Sequence, residues 1–155
     1  MPVSVEPVTV TEPSQRTDPP YAVDEVTMLR AFLDHHRDTL RWKTGGLTQA
    51  QLITSHPPST LTLARLLKHL ALVEDWWFGV NLAGVPTVAS FSDVDFDVDP
   101  ESEFRTALDD RPADLYALLE SVVATSDAHI DAALASGGLD TIAYAVTHAP
   151  GKGCR

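Results

Sequence analysis

One cysteine, Cys154, stands beside the C-terminal residue of this 155-residue chain, so no internal disulfide is available and stability must come from a core. A chain without disulfides suits a reducing compartment. Basic side chains are also scarce: 11 Lys and Arg face 22 Asp and Glu, for a formal net charge of −11. That surface repels a phosphate backbone and an anionic bilayer, and no basic stripe relieves it, so neither nucleic acid nor membrane is an expected partner. Long apolar runs are missing too. The start, Met-Pro-Val-Ser-Val-Glu, has neither the basic nor the apolar portion of a signal peptide, and no stretch is long enough to span a bilayer. The expectation is a cytoplasmic protein. No Gly-rich phosphate loop, nucleophile elbow, paired-cysteine motif or internal repeat occurs.

What is present is a globular share of apolar residues, 44% of the chain, sufficient at this length for one domain with a core. Residues 1–20 carry Pro2, Pro7, Pro13, Pro19 and Pro20 among polar residues, which predicts a disordered arm. The domain is expected over 21–140, followed by an irregular tail over 141–155. Its first helix is predicted from about Asp24 to Trp42. Acidic residues open it, Arg37, Arg41 and Lys43 close it, and Gly45-Gly46 stops it. Val26, Leu29, Leu33, His36 and Leu40 step by three and four, which makes one stripe on a helix. Thr48 and Gln51 predict a short capped helix reaching Ile53.

A second helix is predicted from Ser59 or Thr60 to Gly84. Leu63, Leu66, Leu70, Val73, Trp77 and Val80 form its seam, with Leu67, His69 and Trp76 widening it. The third is predicted from Asp110 and Pro112 to Gly137-Gly138, with Leu115, Leu119, Val122, Ser126, His129 and Ala133 in line. Between them lies an acidic connector with a short helix over roughly 101–108. An EF-hand loop beginning at Asp93 or Asp95 would need glycine where Val98 or Pro100 stands, so the connector reads as solvated rather than calcium-binding. Pro150, Gly151 and Gly153 exclude a long helix near the end. The fold class expected is all-α, an up-and-down antiparallel helix bundle reduced to about three long helices.

Two stretches carry a resemblance. Leu33-Asp34-His35-His36-Arg37-Asp38-Thr39-Leu40-Arg41-Trp42-Lys43 and Leu66-Leu67-Lys68-His69-Leu70-Ala71-Leu72-Val73-Glu74-Asp75-Trp76-Trp77-Phe78 resemble the DinB-like superfamily, in its actinobacterial branch related to mycothiol-dependent transferases. Pro57-Pro58-Ser59-Thr60-Leu61-Thr62 and the Asp-x-Asp-x-Asp-Pro connector match that branch as well, and the likeness spans roughly Tyr21 to Asp140. The resemblance implies a four-helix bundle that holds a divalent ion, zinc or nickel, with three side chains. His69 matches the ligand of the second helix. The other two ligands belong to a fourth helix that has no counterpart after Asp140, so the site implied here is incomplete.

Each candidate residue has two readings. His69 is a partly buried core histidine or a metal ligand. His36 is a hydrogen-bonded core histidine or a cavity-lining group able to orient substrate or shuttle a proton. His35 is expected to point outward. His129 packs or faces the same cavity. Trp76 and Trp77 place one ring in the core and the other as a lid, with Trp76 a pocket-wall candidate. His148 and Cys154 are metal-competent residues in the tail.

A fourth helix would bury about five or six large apolar side chains at roughly 1.5–3 kcal/mol each, on the order of 10 kcal/mol in all. That is comparable with the whole stability of a domain. Without it an apolar groove is expected to stay open, so that the chain dimerises through it, binds a partner helix, or is only marginally stable. Two functions compete. One is a divalent-metal-dependent transferase that uses a low-molecular-weight thiol against an electrophilic small molecule. The other is a non-catalytic helical protein that dimerises or binds a partner helix.

Overall fold

Asp24 accepts a hydrogen bond from the Thr27 amide at 3.0 Å and so caps helix α1 (Glu25–Thr44). The computed structural model describes residues 16–145, and its contacts divide the chain into a first unit ending at Thr54 and a second beginning at Ser55. In the first unit, α1 ends with Arg41 and Lys43 in its last turn, where the helix dipole favours positive charge. Its buried residues are Arg37, Leu40 and Thr44, whereas Leu29 of the expected stripe is about half exposed, as is Phe32 beside it. The Arg16 guanidinium and the Lys43 ammonium both lie over the Trp42 ring, at 5.2 and 3.7 Å from its centroid. Helix α2 (Gln49–Leu52) carries the capping box that Thr48 and Gln51 foretold, and Leu52 is fully buried.

In the second unit, Thr62 caps helix α3 (Leu63–Glu74) by accepting from the Arg65 amide. The sequence predicts one α-helix to Gly84. Instead, from Asp75 to Ala83 the winding is π-helical, and Gly84 closes it in the left-handed conformation at φ 73°. Two further short helices, α4 (Ala89–Ser92) and α5 (Ser102–Thr106), punctuate the acidic connector. Helix α6 (Pro112–Gly137) has Arg111 as its N-cap residue rather than the expected Asp110. The Asp110 carboxylate is drawn away to the Lys68 ammonium, at 2.5 Å. A single turn of 3-10 helix (Gly138–Asp140) follows α6.

The core of this unit lies between α3 with its π-helical continuation and α6. Ala64, Leu67 and Ala71 on one side, and Leu115, Leu119, Val122 and Ser126 on the other, are buried. The α6 face is the one its spacing predicts. On α3 the buried line is displaced by one position from the expected seam, leaving Leu63, Leu66, Leu70 and Val73 half-buried. Large apolar residues surround this helix, so their periodicity does not single out a face. Close approach of two helices favours small residues, and Ala64 and Ala71 supply them.

All regular structure among the described residues is helical, as the sequence predicts, but the connector replaces the expected up-and-down antiparallel order with a parallel one for the two long runs of the second unit. Lys68 of α3 meets Asp110 just before α6, Asp75 feels the charge of His129, and Gly84 touches Tyr144 beyond the end of α6. The two long runs therefore point the same way, joined by a crossover that returns the chain to its starting end. Among the described residues no helix is long and apolar enough to cross a membrane.

Gly84 is where backbone and packing demands coincide. A Cβ there would stand 2.4 Å from the Tyr144 ring, and a left-handed conformation costs an L-residue roughly 1–2 kcal/mol before any clash. Gly84→Ala is expected to lower stability by more than that strain alone. In a Tyr144→Ala background the penalty should shrink to the strain, read from paired urea melts. An equal penalty in both backgrounds would contradict the contact.

Candidate functional site

His69 lies in the middle of α3, with its side chain 38% exposed, so one edge of the ring is open to solvent. The other edge is held. Nδ1 is 3.3 Å from Oε1 of Glu103 on α5, and the Phe104 ring stacks on the imidazole at 4.8 Å with 25° between planes. Helix α5 is fixed against α3 from its backbone, because Arg65 donates from Nε to the Phe104 carbonyl at 3.1 Å. The same guanidinium donates to the Thr60 carbonyl at 2.6 Å. One arginine thus ties the start of α3 to the segment that presents Glu103 and Phe104.

Glu103 is only 5% exposed, and its second oxygen, Oε2, is buried with no hydrogen-bond partner among the described residues. An ionised carboxylate only accepts, so it holds the proton of a neutral imidazole on Nδ1 and leaves the Nε2 lone pair free. That arrangement suits either a general base or a single metal ligand oriented by a carboxylate. The sequence placed Glu103 in a solvated acidic connector and so missed it. Its local signal, one acid among alternating acids, is no different from that of its neighbours.

Beyond His69 along the same helix, Leu72, Val73, Trp76 and Trp77 join Phe96 of the connector around an apolar hollow of about 250 Å³. Both tryptophans are close to half exposed, Trp76 at 47% and Trp77 at 48%. The sequence separates them, one as core and one as lid; in the structure both line this hollow.

His129 on α6 is half-buried, and its Nε2 is buried with no hydrogen-bond partner among the described residues. It influences Asp75, which is 4% exposed and accepts from the Val88 amide at 3.2 Å. Burial pushes the Asp75 carboxyl above its ordinary range, while the Val88 hydrogen bond and the charge of His129 pull it down less strongly. A carboxyl raised in the folded state binds its proton more tightly there than in the unfolded chain. Its contribution to stability is greatest below the ordinary value of 3.8 and is lost as pH rises through the raised value. Asp75→Asn keeps an acceptor for Val88 and cannot ionise. The stability of the variant relative to the native chain should therefore grow from acid pH toward neutrality, as read by urea melts across that range. A difference independent of pH would refute the assignment.

His36 belongs to the first unit, where it is exposed beside Phe32 and His35, its ring centroids 6.5 and 5.9 Å from theirs. The expected seam position is thus not buried, and the outward expectation for His35 is reversed. The His35 side chain is 18% exposed and its Nδ1 lies 3.1 Å from the Thr17 carbonyl. The segment before α1 selects His35, a long-range preference that helical spacing does not carry. His148 and Cys154 lie outside the described residues.

A three-ligand ion needs companions for His69. Among the described residues no group of three His, Cys, Asp or Glu side chains is placed to hold one. The donor set they offer is one imidazole backed by one carboxylate, which does not by itself fit a tightly bound zinc or nickel.

A family model described as MST, mycothiol-S-transferase, matches residues 28–145 of this chain, well over half its length. No curated protein and no solved structure gave a match.

Proposed function

The chain belongs to the mycothiol-S-transferase family, and from that premise we propose that it transfers a low-molecular-weight thiol, mycothiol or a close relative, to an electrophilic small molecule at His69. The observation that carries this reading is the His69–Glu103 pair: a half-open imidazole whose Nδ1 is committed to a buried carboxylate and whose Nε2 is free. Nε2 takes the thiol proton as the sulfur pair forms a bond to the electrophilic carbon. The bond from that carbon to its leaving group breaks, the leaving group departs with the electron pair, and the imidazolium returns the proton to it. Glu103 stabilises the imidazolium through its Nδ1 hydrogen. Among the described residues His69 is the one imidazole beside Glu103, and it is this ring that takes the proton.

The test is thioether formation from mycothiol and a panel of small electrophiles, with protein purified without an affinity tag and its metal content measured. Turnover that survives chelation supports the imidazole as base. Turnover that follows one zinc or nickel per chain makes His69 a ligand instead and requires companions beyond the described residues. No turnover above the uncatalysed rate in either state would leave the non-catalytic helical protein as the reading.

A further inference from the structure

We propose that the hollow formed by Leu72, Val73, Trp76, Trp77 and Phe96 binds the neutral, planar aromatic part of a small-molecule ligand and discriminates against anions. As a site for the electrophile this rests on the transferase reading; as a binding site it stands without it. Its volume is about 250 Å³ and its walls are wholly aliphatic and aromatic side chains. An apolar cavity of roughly 150 Å³ accommodates benzene, so this one has room for a two-ring aromatic.

Both tryptophans of the hollow lie in the π-helical run. In an α-helix consecutive residues point roughly 100° apart, and two adjacent tryptophans would ordinarily divide between core and solvent. Here Trp76 and Trp77 line the same hollow, and each remains nearly half exposed. Two indoles left open on one wall are an unsatisfied apolar surface of the kind that marks a ligand site. Interruptions of α-helix by π-winding recur at functional sites.

Charge sets the class of ligand. Phe96 sits between Asp95 and Asp97, with Asp93 further along the same connector, while Asp99 is ion-paired with Arg105, and among the described residues no basic side chain lines the hollow. A carboxylate or sulfonate entering beside Phe96 would meet like charge, whereas an uncharged ring would not. Position supplies the link to chemistry. Leu72 and Val73 follow His69 at three- and four-residue steps within α3, so this wall of the hollow lies on the helix face that carries the imidazole.

The experiment follows the three tryptophan indole N–H resonances of the full chain by NMR while 2-naphthol or 2-naphthoate is added, with no thiol present. Assignments come from Trp76→Phe and Trp77→Phe. With 2-naphthol the Trp76 and Trp77 signals should move together and the Trp42 signal should stay. 2-Naphthoate should bind at least about tenfold more weakly, and Trp76→Ala and Phe96→Ala should each weaken 2-naphthol by about tenfold. The Phe96 variant keeps the helix intact, so a folding failure at Trp76 leaves the test standing. Equal binding of the two probes, equal movement of all three indoles, or no movement up to the solubility limit would overturn the proposal. Because no thiol takes part, a failed transferase assay and a failed titration remain separate results.

Discussion

Replacing His69 with alanine is expected to lower kcat/KM for thiol transfer by about 10²–10⁴, the usual worth of a positioned general base. The substitution should leave the fold intact, because the side chain is 38% exposed and makes one hydrogen bond and one ring contact. Glu103→Gln provides the graded counterpart. The amide oxygen can still accept from Nδ1, but it does not stabilise an imidazolium, so a loss of roughly tenfold is expected, smaller than that of the alanine variant. The pH–rate profile separates this from mere loosening of α5, since removing the charge opposite Nδ1 should move the acidic limb, on which the base is lost to protonation, whereas a structural defect would lower the whole curve. A His69→Ala protein with the native rate at every pH would remove the site.

Leu67→Ala is the second large effect. Leu67 is fully buried between Ala64 and Ala71 on the face that α3 turns to α6. Truncating such a residue costs about 2–5 kcal/mol, from lost transfer energy and the cavity left behind. Total stability in domains of this kind is about 5–15 kcal/mol, so urea or thermal melts should show a major loss. Leu70, on the seam that periodicity favours, is only half-buried, and Leu70→Ala is expected to cost about 1 kcal/mol. The order of the two variants tests which face of the helix is inside. If Leu70→Ala were the more damaging, the assignment of the buried face would be reversed.

These two variants also mark the boundary between local and long-range information. The starts of α1 and α2 were readable, the first from acidic residues where the helix dipole favours them and the second from Thr48 and Gln51, because both signals lie within a few positions of the helix end. The end of the second long run at Gly84 and of α6 at Gly137-Gly138 were readable for the same reason, since glycine there permits backbone that other residues avoid. His69 was singled out by its place in a run of residues that resembles a family, and the match to the mycothiol-S-transferases covers that run. The helix face was not readable on α3, where leucines encircle the axis, but it was on α6, where polar residues mark the outside.

Composition, caps and spacing were enough to establish an acidic, all-helical chain, the ends of its long helices, and a histidine of interest on the second, because each depends on residues near one another along the backbone. Tertiary structure alone chose the buried line of α3, wound the backbone between Asp75 and Ala83 as a π-helix, and brought Glu103 and Phe104 to His69 across a gap of more than thirty residues. Such choices depend on which surfaces meet after the connector has folded back. A one-dimensional pattern of charge and hydropathy holds no record of that meeting.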